Sequence, residues 1–387
     1  MSFSSFIFKK KPKELDLIID VASYSVAAAL VSIQKGKKAE IVLCKRTHLP
    51  LWKNWDEKKF ISNLSQTLSK LLNLTLRQGA RDLKLSEKSL RGRKIGKILC
   101  VVSSPWCLAD TQTFSSESER PVKITSKEFD SVIKEGVAIE KDPYKEVERK
   151  IIQTRLNGYL TDQPINKRAR QIEISVFEGK ILKELLEKIK SVVDREIHGE
   201  MIFHSYVLST FSAIEEIFPD SKDYLLIEAS GETTGVSLIK NRLITETVSF
   251  PKGKNSFVRN ICKELDVEPD IALSFLKLRN ENKLEQNFLT RIENAIKPAR
   301  EEWITSLKES LKNFKTIPPA EVFFACHPIF SDLLSNNLKL TMGHLTSKEI
   351  KVIFLGAQAL NQFSEFKNDA LDPFIATASI FLQRISN

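Results

Sequence analysis

The chain has 387 residues, 42% hydrophobic and 28% charged, a balance that excludes a disordered, collagen-like or fibrous protein. At roughly 100–200 residues per domain it has room for two or three domains. Lys and Arg (59) outnumber Asp and Glu (49), giving a formal charge of +10, which favours acidic partners such as nucleic acid or an anionic membrane surface. Five scattered cysteines exclude a disulfide scaffold and fit a reducing compartment. No run reaches the ~18 apolar residues of a membrane helix.

The N-terminus reads Phe3-Ser-Ser-Phe6-Ile-Phe8-Lys9-Lys10-Lys11. Its order, apolar then basic, is the reverse of a secretory signal. Phe3, Phe6 and Phe8 with Lys9, Lys10 and Lys11 are candidate contacts to an anionic membrane face; a frayed tail without a role is the alternative. Three β-type runs come next at 15–20, 26–33 and 39–44, joined by tight turns as a hairpin meander. Phe60, Leu64, Leu68, Leu71 and Leu72 fall on one helical stripe. The stretch 77–97, with eight basic residues against two acids, reads as a solvated basic loop. A strand is predicted at 97–103 and a Ser/Glu-rich connector at 114–123. Thr125 and Glu128 are spaced as a capping box for a helix to about 137. An imperfectly alternating run at 147–157, the turn Asn157-Gly158 and a clean alternation at 171–177 come after it. Ile181, Leu182, Leu185, Leu186, Ile189, Val192 and Val193 mark a second amphipathic helix. A β-type run at 201–208 and a short helix at 209–217 end the first half.

The second half opens the same way. An apolar run at 224–228 ends in a carboxylate, and a Gly/Thr turn leads to strands at 235–240 and 243–250 around the tip Asn241-Arg242. Helices are predicted at 256–278 and 283–315, and Pro318-Pro319 stops the latter. A strand at 321–325, a helix at 329–336, a strand at 351–355 and a helix after Asp372-Pro373 complete the chain. Two halves that each open strand, carboxylate, turn, strand suggest a duplicated α/β architecture.

Most enzyme signatures are absent. There is no Gly-x-Ser-x-Gly elbow and no His-Glu-x-x-His, and the five histidines lack metal-ligand spacing. Gly92-Arg-Lys-Ile-Gly96-Lys97 fails as a P-loop, because its glycines are one residue too close and Ile98 stands where Ser or Thr must reach Mg²⁺. No catalytic residue is assigned. The informative pair is Asp20-Val-Ala-Ser23-Tyr-Ser25-Val26 and Glu228-Ala-Ser-Gly231-Glu-Thr233-Thr234-Gly235. A hairpin of this kind can wrap phosphate with backbone N–H groups and hydroxyls, while its carboxylate reaches Mg²⁺ through water. The candidate nucleotide-binding residues are therefore Asp20, Ser23, Ser25, Glu228, Gly231, Thr233 and Thr234, with Asp20 and Glu228 towards the metal. A hairpin that binds nothing is the plainer alternative.

In this order the two hairpins resemble the phosphate loops of the actin-like ATPase superfamily. Asn157-Gly158-Tyr159, Pro164 and the 171–177 strand resemble the small inserted SHS2 (1C) domain of the FtsA and PilM families. The run Tyr224–Thr234, Ile239–Leu243 and Phe250-Pro-Lys-Gly253 resembles their second phosphate loop and the segment after it. The resemblance implies an actin-like fold, a duplicated RNase H-like α/β architecture with an inserted SHS2 domain. It divides the chain into a tail at 1–14, a first actin-like domain at 15–116 and 178–221, and an insert at 117–177. A second actin-like domain at 222–360 and a C-terminal helix at 361–387 returning to the first complete it.

Three departures stand out. Ala22 replaces a loop glycine; Glu228, Ser230, Glu232 and Gly235 replace loop Asp and Gly residues; and Ala325-Cys326-His327-Pro328 replaces the Gly-Gly turn that accepts the nucleoside. With Glu232 bringing negative charge towards a polyphosphate, ATP and Mg²⁺ are expected to bind weakly or not at all. The resemblance then implies a cytoplasmic scaffold, peripheral to the inner face of the plasma membrane. It would dock cytoplasmic tails of inner-membrane proteins in a type IV pilus-type or cell-division machine, with self-association among its options. The alternatives are an active FtsA-type ATPase and, on charge alone, a nucleic-acid-binding protein, which the lack of interleaved aromatics disfavours.

Overall fold

The computed structural model describes residues 15–52, 56–84, 95–135, 143–346, 348–367 and 371–386, without the side chains of 344 and 346. Phe3, Phe6, Phe8, Lys9, Lys10 and Lys11, and part of the basic stretch 77–97, lie outside the described residues.

The first half is built on β1 (Asp16–Val21), β2 (Ser25–Ser32), β3 (Ala39–His48), α1 (Glu57–Asp82) and β4 (Lys97–Val102). β5 (Cys107–Lys123), α2 (Ser126–Glu135), β6 (Tyr144–Leu156), β7 (Tyr159–Leu160) and β8 (Arg168–Leu182) form an insertion, after which α3 (Lys183–Glu196), β9 (Glu200–Ser205) and α4 (Tyr206–Ile217) return to the first sheet. The second half contains β10 (Tyr224–Ala229), β11 (Thr234–Lys240), β12 (Leu243–Phe250), α5 (Asn255–Leu265), α6 (Pro269–Asn280), α7 (Gln286–Lys312) and β13 (Glu321–Cys326). α8 (Ser331–Thr346), β14 (Lys351–Phe354), α9 (Ala357–Leu360), β15 (Ser364–Phe366) and α10 (Pro373–Ser386) end it.

Three sheets result, ordered β15-β3-β2-β1-β4-β9, β12-β11-β10-β13-β14 and β5-β8-β6-β7. The first two share a plan. Each begins with a hairpin whose first strand also pairs in parallel with a later strand, β1 with β4 and β10 with β13. β1 is apolar on both faces because both are covered. Leu17 and Ile19 enter a core with α1 and α3, and Ile18 enters another with α4 and α10. That second core also takes in Tyr224, Leu226 and Phe323, so one apolar layer joins the two large sheets.

The helical stripe Phe60, Leu64, Leu68, Leu71 and Leu72 is buried as its spacing predicts, and Asp56 caps α1 by accepting from the Lys59 amide at 3.0 Å. Residues 77–82 depart from the predicted loop. Leu76, Gly79 and Ala80 continue the buried face, so the helix runs on to Asp82. The predicted connector at 114–123 is also strand, paired with β8 from Cys107 opposite Ile181 to Lys123 opposite Arg168. Its polar composition is that of an edge strand with one solvated face. β5 and β8 thus extend outside 117–177, and Cys107 and Ile181 sit in the core of the first half.

Ile181 and Leu182 end β8 instead of opening α3. The run at 201–208 breaks at Ser205, whose hydroxyl accepts the Leu208 amide and starts α4. The Thr125–Glu128 capping box is formed in both directions. Asn157 and Gly158 take positive φ of 50° and 81°, the backbone that a two-residue hairpin turn needs.

Candidate functional site: the cleft between the two hairpins

The β1–β2 and β10–β11 turns meet at the carboxyl ends of their sheets. Each turn is closed by its own backbone bond, Ala22 N–H to Ser25 O and Ser230 N–H to Thr233 O. The two turns also bond to each other. The Ser23 and Ser230 hydroxyls are 2.9 Å apart, Ser23 N–H donates to Ser230 Oγ at 3.3 Å, and Glu232 N–H donates to Ser23 Oγ at 2.8 Å. Groups that would face a phosphate thus satisfy one another.

The remaining sequence-predicted residues are similarly engaged. The Thr233 hydroxyl donates to Ser104 O at 2.9 Å, and the Thr234 hydroxyl donates to Lys252 O at 2.7 Å while accepting from Trp303 Nε1 at 2.9 Å. Gly231 is needed for a different approach from the one expected: a Cβ there would overlap the Tyr24 side chain. Glu232 does not project its charge into the cleft. It accepts from Asn255 Nδ2 at 2.7 Å and pairs with Arg259 at 2.5 Å.

Asp20 is fully buried, and its Oδ2 lies 2.8 Å from Arg46. Arg46 forms a two-pronged pair with Asp372, at 2.6 and 3.0 Å, and donates to Ser25 Oγ at 2.9 Å. Asp372 in turn accepts the amides of Phe374 and Ile375, so the start of α10 holds the arginine in place. Burial raises Asp20 to about 6 despite the pull of Arg46. Burial works against the charge of Asp372 too, but Arg46 and the helix amides hold it below the usual carboxylate range.

Sheet register explains why Arg46 reaches Asp20. Asp20 stands opposite Ala27, and Ala27 opposite Arg46, so the three lie in one row with a methyl group between the charges. The matching row of the second sheet is Glu228, Gly235 and Ser249. It has no cation. Burial pushes Glu228 up to about 8, against a smaller opposing pull from Ser103.

A cavity of about 320 Å³ beside the turns is lined by Ser25, Arg46, Gly231, Lys254, His327 and Asp372, among others. Burial lowers Lys254 to about 8, with Arg46 nearby, and His327 to about 3, with Lys254 nearby. His327 and Pro328 stand in the turn after β13, and His327 accepts the Ile329 amide. Among the described residues no group of three or more His, Cys, Asp or Glu could hold a metal ion, and no helix is long and apolar enough to cross a membrane. Three features of this geometry differ from the expected phosphate and metal contacts. One oxygen of Asp20 is committed to a fixed guanidinium, the turns are bonded together, and the glycine approach is filled by tyrosine.

Sequence reasoning places Asp20 and Glu228 on matching strand ends but misses Arg46, Asp372, Tyr24 and Trp303. The Asp372-Pro373 pair signals only a helix start, and nothing in a single sequence ties it to position 46.

No protein-family model matches the sequence, and no curated protein does. Among solved structures, the PilM-PilN type IV pilus biogenesis complex superposes with a TM-score of 0.64 at 13% identity, covering 96% of this chain and 99% of that one. The fold is actin-like, in its PilM-like form. Similar at lower TM-score are the ethanolamine utilization protein EutJ from Carboxydothermus hydrogenoformans (0.47, 11% identity, 96% and 90% covered) and an actin-like protein from Bacteroides thetaiotaomicron (0.42, 9%, 95% and 96%). The actin-like cleft of this chain is thus the space between its two large sheets.

Proposed function

We propose that the chain is a cytoplasmic scaffold of the PilM kind whose cleft binds Mg-ATP weakly or not at all. On this reading it docks the cytoplasmic tails of inner-membrane proteins in a type IV pilus-type assembly, at the inner face of the plasma membrane. Two observations support weak or absent nucleotide binding: the two turns hydrogen-bond to each other through Ser23, Ser230 and Glu232, and the metal-side carboxylate is paired with Arg46. The scaffold part is supported by full-length likeness in fold to a protein solved in complex with its pilus partner.

Calorimetric titration of the full chain with Mg-ATP tests the first part. No saturable binding below the millimolar range is expected, and micromolar affinity lost in Asp20→Asn would overturn it. For the second part, fluorescence anisotropy with synthetic tails of pilus inner-membrane proteins should show saturable binding that ATP leaves unchanged; no binding would sink it.

One observation favours the second reading, an active ATPase. Asp20 Oδ1 and Glu228 Oε1 are buried without a hydrogen-bond partner, as carboxylates awaiting the waters of a metal would be. The same titration decides between them.

A further inference from the structure

Behind the second hairpin a cavity lies where its row lacks a cation. It measures about 290 Å³ and is lined by Glu228, Gly235 and Ser249, with Ser103, Cys107, Asp110 and Tyr206 among its other walls. In the first sheet the corresponding space beside Asp20 is occupied by the Arg46 side chain, which crosses over Ala27. In the second, Gly235 leaves the crossing open, since a Cβ added there would meet no atom within 4 Å. Glu228 Oε1 is buried beside this space without a hydrogen-bond partner, and the Ser103 and Tyr206 hydroxyls are buried around it. Its charged lining is acidic only, Glu228 and Asp110, in a chain of net charge +10.

We propose that this cavity is a binding site for a guanidinium group, which pairs with Glu228 as Arg46 pairs with Asp20. Buried carboxyls are stable when paired and hydrogen-bonded, and a guanidinium offers five donors in a fixed fork to the acceptors present. The inference deepens the scaffold reading by naming the side chain that an incoming tail presents, an arginine, but the chemistry is the same for a free alkylguanidine.

Binding is coupled to a proton. The uncharged carboxyl of Glu228 gives its proton to solvent as the ion pair forms. The other titratable groups facing Glu228 are Asp20 from β1, Arg46 from β3, Cys107 and Asp110 from β5 and Tyr206 from α4. Arg46 stays charged, burial keeps the Cys107 thiol and the Tyr206 phenol neutral, and burial moves Asp110 up from a low starting value.

The test is calorimetry of the full chain at pH 7 with ethylguanidinium and with the blocked tripeptide acetyl-Gly-Arg-Gly-amide, in two buffers of different ionisation enthalpy. Expected are saturable binding, close to one proton released per cation, and at least tenfold weakening in Glu228→Gln. In Ser249→Arg, where the chain supplies its own guanidinium, binding should vanish; Ser249 is exposed, so this variant keeps the question open should the other fail to fold. Tripeptide bound tenfold more tightly than ethylguanidinium assigns the site to a partner's arginine, and the reverse order to a free guanidine. Absence of binding at 10 mM (roughly 3 kcal/mol of affinity), equal binding by both variants, or no proton release overturns the proposal. The scaffold reading fails separately: tails can fail to dock while ethylguanidinium still binds, or dock while it does not.

Discussion

Two carboxylates, Asp20 and Glu228, end equivalent strands of equivalent sheets, yet they are held differently. The contrast does not arise in the hairpins that carry them, which make the same turn bond and are both buried. It arises one strand further out, where β3 supplies Arg46 and β12 supplies Ser249. Burial raises both, Asp20 to about 6 against its paired Arg46 and Glu228 to about 8 with no cation in its own row. In this chain the third strand of each sheet thus decides whether the buried carboxylate has a cation in its row.

Breaking the first row should have the largest effect. Arg46→Met leaves Asp20 and Asp372 buried without their cation and is expected to cost about 3–5 kcal/mol in urea denaturation. A loss under 1 kcal/mol would mean that the row is not held by charge. The second row should respond in the opposite direction. The raised value of Glu228 means that the folded chain binds a proton the unfolded chain has released between about 4.5 and 8, so its contribution falls as pH rises across that window. Glu228→Gln should match the parent near pH 4.5 and exceed it by about 2–4 kcal/mol at pH 8, read as a difference between paired denaturation curves. A constant difference across that range would remove the proton from the account. The smallest effect joins the rows. A double-mutant cycle of Ser23→Ala and Ser230→Ala should return a coupling of about 1 kcal/mol, and zero coupling would mean that the turns do not bond in solution.

The strand-ending carboxylates and the hairpin turn after each are legible because periodicity and turn chemistry are local. So are the α1 stripe and the Thr125–Glu128 box. The edge strand β5 is not, since Ser and Glu on a solvated sheet face have the composition of a connector. Residues 77–82 hide their helix because Arg77 and Arg81 on the exposed side outweigh Leu76 and Ala80 in a reading based on charge. Arg46 is out of reach for another reason. Its partner on β1 comes from register across two strands, and its partner Asp372 lies 326 residues further along.

That separation has a consequence for the order in which the molecule is made. At about 5–20 residues per second, roughly 15–65 s pass between synthesis of Arg46 and of Asp372. Until then the first sheet can form its strands but holds its arginine with one acid instead of two, and α10 has yet to cover the apolar face of Ile18 and Ala29. The Arg46–Asp372 contact that orders this part of the cleft thus joins segments made far apart in time.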